Sequence, residues 1–250
     1  MKIWRPSAIL HRWAITHHSR REGTKTGPTP IISFTFDDCP RSAFQTGGEI
    51  LIRHGVQGTF YIALGIMGTR TVVGEMFAPI DVERAISAGH ELGSHTYDHC
   101  NARAVSTETY RDSLIRNEDA LENISSGAKF QTFSYPFGSV TSGAKTIVGH
   151  RYSSARSTIT GINGRSFDLN LLRSHRLYSC RHSPAQIERI IDRCCDVGGW
   201  LIFYTHDVAP EPSRFGCSPD DFERAVSYAC KSGAMVAPII RAIEAISNKA

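Results

Sequence analysis

The chain of 250 residues has no long hydrophobic run, since an apolar stretch such as residues 200–204 is far shorter than the ~20 residues that cross a bilayer. It also has no repetitive or strongly polar tract, which excludes a largely disordered protein. No continuous apolar stretch precedes His11, so the core of a secretory signal is missing and we expect a cytoplasmic protein.

Cysteine occurs without the pattern of a disulfide framework or a zinc-binding pair. The seven cysteines are odd in number and include no CxxC pair. A chain of this length has less need of disulfides than a small secreted domain. We therefore expect free thiols.

Positive charge is concentrated at the N-terminus. Residues 1–25 contain six basic side chains and one acid, whereas acids slightly outnumber bases in the remainder. Ile9, Leu10 and Trp13 lie close to helical spacing, so peripheral contact of this segment with an anionic membrane is one interpretation. A helix packed on the protein or a frayed tail is the alternative. Nucleic-acid binding is not expected, because only Trp4 and Trp13 interleave with the cations.

Short β-rich runs alternate with helix-periodic segments along the rest of the chain. Strands are predicted at residues 31–36, 58–62, 91–94, 131–134, 200–205 and 235–237, and helices at 43–54, 82–88, 107–124, 144–149 and 239–247. Two more helices have start signals at Ser183-Pro184 and Ser218-Pro219. Residues 65–73 and 156–165 are predicted to be irregular loops. This alternation predicts an α/β fold with a parallel sheet.

Residues suited to chemistry follow three of the predicted strands: Asp37-Asp38, His95-x-x-x-His99 and His206. The carboxyl ends of strands are the usual place for catalytic groups in α/β folds. Two histidines and one carboxylate can form a metal site with open coordination positions, as catalysis requires. A hydrolase also needs a base and an acid, which the second aspartate and His206 can supply.

Two conditions limit this interpretation. Adjacent aspartates point to opposite faces of an ideal strand, so Asp37 and Asp38 can serve one site only if the strand end bends or the metal lies beyond it. Each motif alone is more often a solvated turn or an unliganded histidine pair. Their joint occurrence at separate strand ends supports the metal-site hypothesis.

Two segments carry a family resemblance. Residues 33–40 (SFTFDDCP) resemble a TFDDGP motif, residues 58–61 (GTFY) match the strand after it, and residues 89–99 (GHELGSHTYDH) resemble an AGHEIGNHTxxH segment. Over residues 30–243 the sequence is similar to the polysaccharide deacetylase family, also called the NodB-homology or carbohydrate esterase family 4 group. The resemblance implies a single domain with a distorted (β/α) barrel at residues 30–250, after a basic extension at 1–29.

The resemblance also implies roles for individual residues. Asp37 would be the general base, and Asp38, His95 and His99 would bind a divalent metal that activates water. Zn²⁺ is the first choice, with Co²⁺, Ni²⁺ or Mn²⁺ as alternatives. His206 would protonate the departing amine.

A third segment, residues 134–138 (SYPFG), looks like the family motif that lines the substrate groove. By this resemblance Tyr135, Pro136 and Phe137 contact the substrate. The backbone N–H of Phe137 would stabilise the oxyanion.

The sequence departs from the family pattern at two site positions. Cys39 stands where the family has glycine; metal ligation and redox sensitivity are open, and we favour a thiol that is simply small enough to fit. Ser134 stands where the family often has an arginine that orients the catalytic aspartate. We expect Arg173 to replace that arginine, with Asp168 as a further supporting residue; a surface position for Arg173 is the alternative.

The expected activity is hydrolysis of an N-acyl group, foremost N-acetyl, on a sugar or glycan, a carbon–nitrogen bond other than a peptide bond. A cytoplasmic location would favour a lipid-linked oligosaccharide, a nucleotide sugar derivative or a glycan intermediate. The alternatives are a sugar deformylase or non-sugar amidase on the same scaffold, because pocket walls set acyl size, and an inactive carbohydrate-binding protein.

Overall fold

A computed structural model describes residues 15–247. Its strands are β1 Glu22–Thr24, β2 Ile31–Asp37, β3 Thr59–Ile62, β4 Arg70–Thr71, β5 Gly74–Glu75, β6 Glu91–Ser94, β7 Thr132–Ser134, β8 Ser154–Thr160, β9 Ser166–Asp168, β10 Leu172–Arg176, β11 Trp200–Thr205 and β12 Met235–Val236. Its α-helices are α1 Glu49–Arg53, α2 Pro79–Ser87, α3 Thr107–Ile124, α4 Ser142–Arg151, α5 Pro184–Asp196, α6 Pro219–Lys231 and α7 Ile239–Ser247.

Seven parallel strands close into a barrel in the order β2, β3, β6, β7, β8, β10 and β11. The ring closes where β11 pairs with β2 along its whole length, and β12 also pairs with β2. Helices separate most of the strands and pack outside, which confirms the predicted distorted (β/α) barrel. Because all barrel strands are parallel, their carboxyl ends meet at one mouth.

Local sequence signals account for several elements. β2 and β11 are buried along their whole length, as their near-continuous apolar runs predict for parallel strands covered on both faces. At the start of α5 the Ser183 N–H donates to Gln186 Oε1 at 2.8 Å, which is one half of a capping box, and at the start of α6 the Ser218 hydroxyl accepts the Asp221 N–H. Both predicted helix starts are confirmed.

The loop predicted at residues 156–165 is wrong, because Ser154–Thr160 forms the barrel strand β8. β10 was also missed. β8 has the sequence SARSTIT, whose only fully apolar residues are Ala155 and Ile159, and its Arg156 and Ser157 are buried. A barrel interior that holds polar groups removes the apolar pattern on which strand prediction depends. The segment 65–73 also contains more order than predicted, since β4 and β5 form a short antiparallel hairpin.

The described part of the basic N-terminal segment packs on the barrel. β1 pairs antiparallel with β9, and the Arg21 guanidinium donates to the carbonyl oxygens of Gly149 and Tyr152 at 3.1 and 2.9 Å. The amphipathic pattern of Ile9, Leu10 and Trp13 lies outside the described residues. Within residues 15–247, no helix has both the length and the apolar character needed to span a bilayer.

Candidate active site

A cleft of about 560 Å³ opens at the carboxyl ends of the barrel strands. All five principal predicted residues line it: Asp37, Asp38, His95, His99 and His206. The strands β2, β6 and β11 end in or directly before these residues, and the barrel brings the three strand ends to one mouth. The predicted convergence of the three motifs is therefore present in the structure.

Asp38, His95 and His99 form a compact cluster in which one candidate ligand atom from each lies within 4.8 Å of the other two. Asp38 Oδ1 lies 3.4 Å from His95 Nε2 and 2.9 Å from His99 Nε2. Burial acts to raise the pKa of Asp38, but the two histidines outweigh it and hold the pKa well below its usual range. The carboxylate is therefore ionised.

This cluster has the donor chemistry of a metal site. His95 Nδ1 lies 2.7 Å from the Ser134 carbonyl oxygen, an acceptor that requires the proton on Nδ1 and so leaves the Nε2 lone pair facing Asp38. Asp38 Oδ1 is buried and has no hydrogen-bond partner among the described residues. Lone pairs that converge on one point repel one another unless a proton or a cation lies between them, and two histidines with one carboxylate suit Zn²⁺ or a similar divalent ion.

Backbone conformation explains how neighbouring residues reach the same cleft. Five non-glycine residues at the site have φ between 49° and 61°, in the left-handed region that such residues seldom occupy: Asp38, Cys39, Thr96, His99 and Phe137. At Asp38 (φ 59°) this conformation turns the chain sharply, and the Cys39 N–H donates to the Asp37 carbonyl oxygen at 2.5 Å. The turn ends the strand alternation, so Asp37 and Asp38 both face the cleft.

Arg156 holds Asp37 in place, so the prediction that Arg173 does so is wrong. The fully buried Arg156 guanidinium contacts both Asp37 carboxylate oxygens and the Ser134 hydroxyl. Arg173 is exposed, and its backbone bonds to Asn163. Arg156 is the partner of Ser134 in the β7–β8 register. The guanidinium thus comes from β8, whereas the family motif often places an arginine at the Ser134 position on the neighbouring strand β7.

The charge state of Asp37 follows from its surroundings. Burial raises its pKa, but the Arg156 charge, with smaller contributions from His95 and His206, brings the pKa below its usual value. Asp37 is therefore a buried, ionised carboxylate held in one orientation. The sequence offers one weak signal for Arg156, which is the only charged residue between Tyr152 and Gly161.

His206 follows β11, whereas His95 follows β6, and these two strands are not neighbours in the barrel. His206 Nδ1 is 3.2 Å from the Phe215 carbonyl oxygen, which requires the proton on Nδ1 and leaves Nε2 available to the cleft. The rings of Tyr178 and Phe215 pack against the imidazole at centroid distances of 6.0 and 5.5 Å. These contacts restrict the orientation of the ring.

The third motif contributes less to the cleft than predicted. Phe137 lines it, is 65% exposed and contacts the His99 ring at 4.4 Å between centroids. Tyr135 and Pro136 are buried and are absent from the cleft wall, and the Tyr135 hydroxyl donates to the Asn170 carbonyl oxygen at 3.0 Å. The Tyr135 ring packs against Phe133 at 5.1 Å between centroids, away from the cleft. The structure therefore gives no support to the prediction that Tyr135 and Pro136 contact the substrate.

Asp168 supports a different part of the molecule, so its assignment to the site is wrong. Its carboxylate accepts hydrogen bonds from Lys145 Nζ at 2.6 Å and from the backbone N–H groups of Arg21 and Asn170 at 3.1 and 2.9 Å. These contacts fasten the N-terminal segment to α4 and the loop after β9. None of these three partners lines the cleft.

Cys39 is placed as a small buried residue rather than a ligand. Its Sγ lies 3.5 and 3.4 Å from the carbonyl oxygens of Phe36 and Tyr61, which share its single S–H donor, and it is not part of the Asp38 cluster. Burial, with the nearby Asp37 and Asp38 charges, raises the pKa of this thiol well above its usual value. All seven cysteines are free, as expected.

Comparison with known proteins identifies a family for this chain. The model of a family described as polysaccharide deacetylase matches residues 24–150, half of the chain. A peptidoglycan-N-acetylglucosamine deacetylase of Listeria monocytogenes is 29% identical over 144 residues, which are 57% of this chain. The match spans only 29% of that relative's length.

Solved structures support the fold. A pseudoenzyme of carbohydrate esterase family 4 from Bacillus anthracis superposes with a TM-score of 0.63 at 16% identity, covering 88% of this chain and 68% of that one. The peptidoglycan deacetylase PdaC from Bacillus subtilis superposes with a TM-score of 0.57 at 16% identity, covering 90% and 95% of the two chains. At these identities the likeness concerns architecture alone.

Proposed function

Since the chain belongs to the polysaccharide deacetylase family, we propose that it is a metal-dependent hydrolase that removes an N-acyl group, foremost N-acetyl, from a sugar or glycan. One observation carries the proposal: the converging lone pairs of Asp38, His95 and His99 lie in the same cleft as the arginine-held carboxylate of Asp37 and the imidazole of His206. The similarity to a peptidoglycan-N-acetylglucosamine deacetylase of Listeria monocytogenes supports an N-acetylated sugar as the substrate.

Asp38, His95 and His99 would hold the metal, and Zn²⁺ suits this ligand set best. A divalent ion bound there supplies Lewis-acid chemistry, polarising a carbonyl and lowering the pKa of water to about 7. The Ser134 carbonyl fixes the His95 tautomer, and the φ 49° conformation of His99 turns its imidazole toward Asp38.

Asp37 is the base in this proposal. It accepts a proton from the water that attacks the amide carbonyl carbon, while the N–H of Phe137 donates to the carbonyl oxygen as it gains charge. Arg156 keeps the Asp37 carboxylate oriented and ionised before that step. The Arg156 guanidinium is buried and contacts the Ser134 hydroxyl. Because it cannot move freely, it restricts the orientation of the Asp37 carboxylate.

His206 is the acid. With Nδ1 engaged by the Phe215 carbonyl oxygen, a protonated Nε2 is the group that can donate to the leaving nitrogen. The carbon–nitrogen bond then breaks, leaving a free amine and a carboxylate. Asp37 and His206 face the substrate from the ends of different strands, β2 and β11. This placement allows Asp37 to act on the water that attacks the carbonyl carbon while His206 acts on the leaving nitrogen.

An inactive carbohydrate-binding protein is the alternative from another class, and one structural neighbour is a pseudoenzyme. A binding protein has no need of a base or an acid, yet this cleft contains both as well as the metal cluster. A deformylase or a non-sugar amidase would use the same groups, and the acyl group released distinguishes these activities.

Metal content and acyl release test the proposal. Acetate and formate are measured after incubation with N-acetylated and N-formylated sugars, using the Zn²⁺-loaded protein and the variants Asp37→Asn and His206→Ala. Both variants should keep stoichiometric metal and lose about 10²–10⁴-fold in rate. Asp98→Asn is the matched control, because that carboxylate lies between the histidines in sequence but contacts Ser113 and Arg116. Failure to bind metal after reconstitution, or equal rates in all proteins, would contradict the proposal.

A further inference from the structure

One wall of the cleft is strongly basic. Arg176, Arg181 and Arg214 line it, all three are exposed, and none forms an ion pair with any residue in 15–247. Arg176 Nε donates to the Tyr204 hydroxyl at 3.1 Å, so its position is fixed while its two terminal nitrogens have no hydrogen-bond partner in the described chain. Positive charges that line one cleft without carboxylate partners repel one another, and an anion bound among them would relieve that repulsion.

Two loops that are bonded together present the basic wall. The Ser179 N–H donates to the Gly216 carbonyl oxygen at 3.1 Å, and Cys180 Sγ donates to the Arg214 carbonyl oxygen at 3.3 Å. These bonds place the loop after β10, which carries Arg181, beside the loop after β11, which carries Arg214. The Arg214 guanidinium also lies 4.6 Å from the centre of the Phe215 ring.

The acids of the cleft do not neutralise this wall. Asp37 and Asp38 are the carboxylates among the described residues that line the cleft. Arg156 already contacts Asp37, and Asp38 faces the two histidines. A divalent ion at Asp38 would add further positive charge. The cleft therefore has a surplus of positive charge on the side of His206.

Other parts of the cleft are apolar. Val72, on the turn between β4 and β5, is 82% exposed, and Phe137 is 65% exposed; both line the cleft with Ile66. Carbon–hydrogen faces of sugar rings pack against side chains of this kind, whereas an anionic group does not. The cleft thus offers an apolar surface for a sugar ring and a basic wall for an anion.

We propose that the substrate is an acidic sugar derivative, whose phosphate or carboxylate binds Arg176, Arg181 and Arg214 while its N-acyl group faces the metal cluster. This inference rests on the proposed hydrolase function and names the chemical class of its substrate. Guanidinium groups bind phosphate and carboxylate oxygens through paired, charge-assisted hydrogen bonds, so arginine suits both anions.

Calorimetric binding and acetate release with three probes test the inference. The probes are methyl N-acetylglucosaminide, N-acetylglucosamine phosphate and N-acetylmuramic acid, which are neutral, phosphorylated and carboxylated. We expect an acidic probe to bind the Zn²⁺-loaded protein about tenfold or more tightly than the neutral one. In Arg181→Gln/Arg214→Gln this ratio should fall toward one, whereas Arg173→Gln, an exposed arginine outside the cleft, should leave it unchanged. The better acidic probe identifies the anion.

Salt dependence in the intact protein gives a second measurement that does not depend on folding of a variant. Added NaCl should weaken binding of the acidic probes and leave the neutral probe unaffected. Equal binding of all probes, or a preference that survives the double substitution, would overturn the inference even if acetate is released. Preferential binding without acyl release from any probe would instead contradict the proposed hydrolase and leave the anion site supported.

Discussion

The Arg156 guanidinium contacts both carboxylate oxygens of Asp37, although β8 and β2 are not neighbours in the barrel. The ion pair therefore crosses the barrel interior, and both side chains are almost completely buried. Burial makes such a pair costly to break, because the remaining charge loses its partner and keeps its desolvation penalty. We therefore expect both the stability of the fold and the activity to depend on this ion pair.

Arg156→Gln should impair both properties. We expect the free energy of unfolding to fall by about 3–5 kcal/mol, because the Asp37 carboxylate is left buried without a cation. The rate of acetate release should fall by about 10²-fold, as expected when a catalytic group is misplaced by about 1 Å. Denaturant unfolding and steady-state kinetics measure the two effects. Arg173→Gln, at an exposed position, should change the free energy of unfolding by no more than about 0.5 kcal/mol and leave the rate of acetate release unchanged.

Exchanging the two register partners tests the relocation of the arginine. Ser134 and Arg156 face each other on β7 and β8, so Ser134→Arg/Arg156→Ser moves the guanidinium to the position common in the family motif. The double variant should recover part of the stability and activity lost in Arg156→Ser alone. Additive losses in the two single variants, with no recovery in the double variant, would show that the arginine cannot serve Asp37 from β7.

The motifs at the ends of apolar strands were predictable, whereas the support for Asp37 was not. β2, β6 and β11 are apolar runs or contain family motifs, so the sequence is sufficient to predict a role for the residues at their ends. Arg156 lies in a strand whose polar residues face a polar barrel interior, and the same residues gave a loop prediction. Ion pairs across a barrel depend on its closure, which local patterns in one strand do not encode.

Metal removal should destabilise the protein. A metal that binds only the folded state, at a free concentration of about 100 times its dissociation constant, adds about 2.7 kcal/mol to the free energy of unfolding. Chelation should therefore lower the midpoint of thermal unfolding, and Zn²⁺ should restore it. His99→Ala should abolish the response, whereas His54→Ala, which removes a contact with Glu223 outside the cleft, should retain it. An unchanged midpoint on chelation of stoichiometric metal would contradict this expectation.

Cys39→Ala should leave metal content and acetate release within about twofold of the wild type, because the thiol faces the Phe36 and Tyr61 carbonyl oxygens. Loss of the buried sulfur should cost about 1 kcal/mol of stability, in the range of a small core truncation. Metal analysis and denaturant unfolding check both effects. A loss of stoichiometric metal would show that the cysteine takes part in ligation.

His90 should make stability sensitive to mild acid. Burial lowers its pKa from 6.5 to about 4, and its Nδ1 accepts the Gly58 N–H at 3.1 Å, so the folded state keeps the imidazole neutral. Between pH 6.5 and 4 the unfolded chain binds a proton that the folded chain does not, and the free energy of unfolding should fall as pH falls. The full loss is about 3 kcal/mol below pH 4, with no contribution above pH 6.5.

His90→Gln, which keeps a hydrogen-bond acceptor for Gly58, should flatten that part of the stability curve. Urea unfolding at several pH values between 7 and 4 measures the slope for the wild type and the variant. His150→Gln is the control, because it removes a histidine from an exposed position. The variant is expected to be less stable than the wild type at pH 7, since Gln fits the site beside Phe60 less well, and to approach it as pH falls. Parallel curves for the wild type and His90→Gln would mean that another buried group causes the acid sensitivity.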